Sequence, residues 1–125
     1  IDIDAPFSEV WEMFKKYNIR HLPVIDSDRR LKGIISQRDL YRIASPRMTI
    51  EGELVYDKID LDKHILKYVM TKEPFSLSSD DTLGTAIREM VYNRYGCIPI
   101  VDASQCLVGI ITQIDILEAV VRYFI

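Results

Sequence analysis

The chain has 125 residues, 48% of them apolar and 28% charged, which is enough to build a core and too apolar for a disordered chain. That is one compact domain's length and leaves no room for two full-size ones. Sixteen basic against nineteen acidic residues give a net charge of −3, which argues against a nucleic-acid binder working through a broad basic field. Apolar runs such as Ile110–Ile111 are too short to span a bilayer. The chain opens on Ile1 rather than Met, so a trimmed leader stays open. Two cysteines, Cys97 and Cys106, are too few for a disulfide scaffold or a zinc cage, and His21 and His64 lie far apart. A reduced, cytoplasmic protein without a metal site is expected.

Phe7, Val10, Trp11 and Phe14 recur at i, i+3, i+4 and i+7 and predict a helix, with Asp4 at its N-cap and Pro6 in its first turn. His21–Asp26 is a short, branched, apolar run that predicts a strand. Leu31–Ser36 predicts a second strand after a polar break of hairpin length. A helix then starts near Gln37 and is ended by Pro46. Residues 46–56 are polar and irregular. Asp60 or Asp62 opens a short helix running through Leu66 and Tyr68, and Val69-Met70-Thr71 follows. This stretch is expected to be a connector packed on the domain, not a flexible linker. A strand around Phe75–Leu77 comes next.

From there the chain repeats itself. Leu22-Pro23-Val24-Ile25-Asp26 recurs 76 residues later as Ile98-Pro99-Ile100-Val101-Asp102. Between 22 and 40, 8 of 19 positions are identical at that offset, where unrelated segments would share roughly one; five more are conservative. The second copy predicts a helix on Leu83, Ala86, Ile87 and Met90 with Asp80 as N-cap. Strands Cys97–Asp102 and Leu107–Thr112 follow, then a helix from Gln113 to the C-terminus. The fold class is α+β, built from two strand–helix–strand–strand–helix repeats. The leading strand of copy one falls at Ile1 and earlier, so that repeat is expected to lack its start. The boundaries are 1–45 for the first repeat, 46–67 for the connector and 68–125 for the second repeat.

Several residues carry chemistry. Ser36 and Asp39 stand three apart at a strand-to-helix junction, as do Thr112 and Asp115. One reading is helix capping. The other is ligand binding, because a carboxylate offers two acceptors to the vicinal hydroxyls of a ribose and a helix start offers N–H groups to a phosphate. Arg20, His21 and Arg38 are either solvated charge or the cations a phosphate needs. Gly96, Cys97 and Ile114 stand at the matching places in copy two, so the two halves should differ in phosphate handling. Leu22 and Ile98, before the two prolines, are core or wall residues. Gly33 and Gly109 suit close backbone approach or ligand clearance. If Asp102 faces Leu107 across the hairpin, Cys97 faces Thr112. Trp11 reads as core or dimer interface. No catalytic constellation is present.

These motifs resemble a tandem pair of cystathionine-β-synthase (CBS) domains, a Bateman module. The resemblance rests on Val69-Met70-Thr71-Lys72-Glu73-Pro74 opening a repeat, on the hydrophobic–Pro–hydrophobic–hydrophobic–Asp strand, and on Gly-x-x-(Ser/Thr)-x-x-Asp. The last occurs at Gly33 to Asp39 and again at Gly109 to Asp115. The resemblance implies a pseudo-twofold module with two clefts between the copies. It implies a regulatory, non-enzymatic role, with adenine nucleotides (AMP, ADP or ATP) as ligands and no catalytic cofactor. By the same resemblance the aspartates serve the ribose and Ser36 and Thr112 the phosphate or sugar. Backbone beside His21, Cys97 and Ser76 reads the adenine edge, and Thr71 contacts ligand. A homodimer is expected, with an unidentified regulated protein as partner; a ligand-free dimerisation module is the alternative.

Overall fold

The first helix, α1 (Ser8–Tyr17), carries Val10 and Phe14 inward, with Phe7 buried just ahead of it. The computed structural model describes residues 1–125, which fall into two units: residues 1–27 with 32–73, and residues 28–31 with 74–125. Asp4 does not cap α1. Its N–H donates to Asp2 Oδ1 at 2.8 Å in a local turn, and the Ser8 N–H donates instead to Asp62 Oδ1 at 2.8 Å. A helix start needs an acceptor, and tertiary structure supplies one from 54 residues away. Asn18 ends the helix in the left-handed region that Asn tolerates.

In the first unit β1 (His21–Ile25) lies beside β2 (Leu31–Ser36), which leads without a gap into α2 (Gln37–Ile43). The stretch expected to be irregular is ordered: β3 (Arg47–Met48) pairs antiparallel with β4 (Leu54–Val55). Two short helices replace the single expected one. They are α3 (Lys58–Leu61), capped by Asp57 rather than Asp60 or Asp62, and α4 (Leu66–Val69). Asp57 wins because its carboxylate reaches both the Ile59 and the Asp60 N–H. The connector is packed on the unit, as expected. Tyr56, Leu61, Leu66 and Met70 join Phe7, Val10, Phe14, Leu22, Val24, Ile35 and Leu40 in one core, and burying a side chain such as Leu61 contributes on the order of 1.5–3 kcal/mol. Strand β5 (Thr71–Lys72) closes the sheet on β2, with Gly33 facing Lys72 and Ile34 facing Thr71. Gly33 permits this approach. A Cβ there would lie 2.8 Å from the Thr71 carbonyl oxygen, inside contact distance, and would also collide with Met70.

The second unit holds β6 (Leu77–Ser78), α5 (Leu83–Asn93), β7 (Cys97–Val101), β8 (Leu107–Thr112) and α6 (Gln113–Phe124). Thr82, not Asp80, caps α5, because its hydroxyl stands directly before the first helical residue and accepts the Thr85 N–H at 3.1 Å. Cys97 faces Thr112 and Ile100 faces Gly109, after which a bulge brings Val101 opposite Leu107. β6 runs parallel to β7, pairing Leu77 with Ile100 and Ser78 with Val101. The same pairing occurs 76 residues earlier as a single parallel bridge between Asp2 and Ile25. There the Ile3 N–H donates to Ile25 O at 2.8 Å and the Ile25 N–H to Ile1 O at 2.9 Å. Gly109 is not a close-packing glycine, since a Cβ there would meet Ile100 at an ordinary 3.9 Å. No helix is long and apolar enough to cross a membrane.

Candidate functional site

In each unit a strand delivers a hydroxyl residue directly into a helix, and the junction is locked the same way. The Gln37 N–H donates to Arg20 O at 3.0 Å, and the Gln113 N–H donates to Gly96 O at 3.2 Å. These bonds tie the residue before β1 to the start of α2 and the residue before β7 to the start of α6. Arg20, His21, Ser36, Arg38 and Asp39 are thereby brought to one end of the first sheet. Gly96, Cys97, Thr112 and Asp115 are brought to the corresponding end of the second.

The junctions are reciprocal capping boxes. Asp39 Oδ2 accepts from Ser36 N at 2.7 Å and from Ser36 Oγ at 3.0 Å. Asp115 Oδ2 accepts from Thr112 N at 2.7 Å and from Thr112 Oγ1 at 3.0 Å. Both carboxylates therefore have one oxygen committed to the cap and differ at the other. Asp39 is 7% exposed, and its Oδ1 lies 3.0 Å from Arg42 Nη2. Arg42 also donates from Nη2 to the Val69 carbonyl at 3.3 Å. Asp115 is exposed, and its Oδ1 has no partner. Arg42 was not among the residues singled out from the sequence, although the 76-residue offset places it against Glu118 and so marks a charge reversal.

His21 is half-buried beside this cluster. Burial first, then Arg20 and Arg38, push its imidazole below the ordinary value of 6.5, and Asp39 opposes them. Its counterpart Cys97 is buried, which pushes the thiol up to about 12 and keeps it protonated. Leu22 and Ile98 lie in the two hydrophobic cores, so what they present outward is backbone. Thr71 is exposed on β5, paired with Ile34 two residues before Ser36. Ser76 is half-buried just ahead of β6. No group of three or more His, Cys, Asp or Glu side chains gathers to hold a metal.

The CBS-domain family profile matches residues 1–45 and 65–122. The chain belongs to the CBS-domain family. A CBS domain-containing protein of Dictyostelium discoideum is 29% identical over 124 residues, covering 98% of this chain and 83% of that one. The inosine-5′-monophosphate dehydrogenase of Methanocaldococcus jannaschii is 34% identical over 115 residues, covering 92% of this chain but only 20% of the enzyme. The likeness is therefore to a fifth of that enzyme's length, not to the whole of it. Among solved structures, CBSX2 in complex with AMP superimposes with a TM-score of 0.78 at 22% identity, covering 98% of this chain and 86% of that one. The CBS domain pair of protein MJ0100, in complex with 5′-methylthioadenosine and S-adenosyl-L-methionine, gives a TM-score of 0.73 at 22% identity, covering 95% and 89%. The fold of this chain is that of a tandem CBS pair.

Proposed function

We propose that the chain is a ligand-sensing regulatory module that binds adenosine ligands, with AMP, ADP and ATP foremost, and passes occupancy to an attached or partner protein. It acts by binding rather than by turnover. The observation that carries this reading is the carboxylate–hydroxyl pair built twice with the same geometry. A carboxylate accepts from both hydroxyls of a ribose. Ser36 or Thr112, with the N–H groups behind it, faces a phosphate or sugar. Arg20, His21 and Arg38 serve the phosphate, Thr71 and Ser76 flank the sugar and base, and backbone beside Leu22, Cys97 and Ile98 meets the adenine. The adenosine ligands carried by CBSX2 and protein MJ0100 support the ligand class. A ligand transmits occupancy only by binding one arrangement better than another. The two free cysteines support a reducing, cytoplasmic setting.

Calorimetric titration with AMP, ADP, ATP, NAD and S-adenosylmethionine tests the reading. A bound ligand at a hundred times its Kd should stabilise the fold by about 2.7 kcal/mol per site. Absence of heat together with an unmoved melt would contradict it.

A second reading, a dimerisation module, is favoured by α6, which buries none of its residues. Ile114, Leu117 and Val121 line an open groove of about 510 Å³, and Ile87 and Val91 lie exposed on α5. Contiguous exposed apolar faces are usually covered by a partner, and sedimentation should find a dimer at micromolar concentration. The two readings are compatible, since a homodimer can also bind nucleotide.

A further inference from the structure

The two ribose carboxylates have the same cap and opposite surroundings, and the residue three positions on accounts for much of the contrast. In the first repeat that residue is Arg42. Its guanidinium is held between Asp39 Oδ1 at 3.0 Å and the Val69 carbonyl at 3.3 Å. It occupies the carboxylate oxygen that the cap leaves over, the one a ribose diol has to share. In the second repeat the residue is Glu118. It adds a second negative charge one turn from Asp115, whose Oδ1 is open. The neighbouring positions reinforce the contrast. Arg20, His21 and Arg38 stand where copy two has Gly96, Cys97 and Ile114. The nearest cation of α6 on the same face is Arg122, seven residues from Asp115, about 10 Å along the helix axis.

We infer that position 42 and its counterpart 118 set which adenosine derivatives each repeat accepts: Arg42 reserves Asp39 for ligands with an anionic 5′ group, and Glu118 beside Asp115 favours ligands whose 5′ group is neutral or cationic. This rests on the reading of Asp39 and Asp115 as ribose acceptors. The reason is exchange of partners. A phosphorylated ligand recruits the Arg42 guanidinium in a charge-assisted contact while its ribose takes over Oδ1. An unphosphorylated ligand has to open the Arg42–Asp39 pair and offers the guanidinium nothing in return. At Asp115 no pair has to open, and a phosphate would be repelled by two carboxylates that no ion pair neutralises. A thioether or sulfonium at the 5′ position meets no such repulsion.

The test is the affinity ratio of AMP to 5′-methylthioadenosine, measured calorimetrically on the full chain and on Arg42→Gln, Glu118→Arg and the double variant. The Arg42 side chain is 63% exposed and Glu118 is exposed, so each variant keeps its core; because Glu118 also lines the α6 groove, sedimentation of Glu118→Arg must match the parent for its affinity ratio to count. A unit charge a few ångströms away at an exposed, water-screened position changes affinity by roughly five- to tenfold. Arg42→Gln should therefore lower the AMP preference of one site about five- to tenfold. Glu118→Arg should raise it at least as much at the other site, and the double variant should move both. If AMP binds but neither ratio moves by more than twofold, the inference is wrong and the adenosine reading stands. If neither compound binds the parent chain, the inference is wrong, and the adenosine reading falls with it only when ADP, ATP, NAD and S-adenosylmethionine give no heat either.

Discussion

The two repeats share sequence, hydrogen-bond geometry and register, yet one is wrapped and the other is bare. Phe7 is fully buried and its counterpart Leu83 is 51% exposed. Leu40 lies in a core and Ile116 only packs at the edge of one. The connector explains the difference, because Tyr56, Leu61, Leu66 and Met70 all pack into the first unit and no equivalent segment covers α5 and α6. Duplication therefore gave two copies of one backbone design. What lies against each copy decides how strongly its side chains contribute to stability, and the same principle separates Asp39 from Asp115.

Truncation should reveal this contrast most strongly. Phe7→Ala should cost about 3–5 kcal/mol in chemical denaturation, the usual loss for a buried aromatic side chain. Leu83→Ala should cost only about 1 kcal/mol, because half of that side chain already meets water. Equal losses would mean that the second unit is as well covered as the first. The glycines give the next largest effect. Gly33→Ala forces a methyl group against the Thr71 carbonyl and should destabilise by about 1–3 kcal/mol. Gly109→Ala meets only ordinary contact with Ile100 and should be near neutral in the apo protein. Loss of ligand affinity in Gly109→Ala without loss of stability would assign that glycine to ligand clearance.

A smaller effect is expected from His21. Its folded pKa lies below the ordinary 6.5, so the unfolded chain binds the proton that the native state refuses. Stability is full above the unfolded value and falls as pH drops below it. Between pH 7.5 and 5, denaturation midpoints should fall less in His21→Gln than in the parent. The second repeat has no counterpart to this titration, because Cys97 stays protonated throughout.

Much of this architecture was legible in the sequence. The strand-to-helix junctions at Ser36/Gln37 and Thr112/Gln113 were, because a branched apolar run ending in a hydroxyl residue and an acid is a local signal, here printed twice. The Cys97–Thr112 pairing was legible too, although the hairpin closes through a bulge that no residue of the strands signals. The β3–β4 hairpin was not, since two-residue strands are too short for any alternation to appear. The caps of α1 and α5 depart from expectation for different reasons. Asp62 reaches Ser8 only through tertiary structure, whereas Thr82 is a local signal standing two residues after the repeated Asp80. At the candidate site the paired hydroxyls and carboxylates could be read directly. The burial of Asp39 could not, because it depends on packing. The Arg42/Glu118 reversal was available from the offset alone.

The central claim, that the duplicated carboxylates bind ribose rather than only cap helices, is tested most directly by comparing affinity with apo stability in Asp39→Asn and Asp115→Asn. Asn keeps one acceptor and turns the other into a donor, so it cannot accept from both ribose hydroxyls. Loss of charge-assisted hydrogen bonds of roughly 1.5–3 kcal/mol should weaken nucleotide binding about ten- to hundredfold at one site in each variant. The helix-end contribution of the same charge to stability is only about 0.3–1 kcal/mol for exposed Asp115 and up to about 2 kcal/mol for buried Asp39. The account predicts a large loss of affinity in both variants, with a small loss of apo stability in Asp115→Asn and a larger one in Asp39→Asn. Variants that melt earlier but bind AMP as tightly as the parent would contradict it.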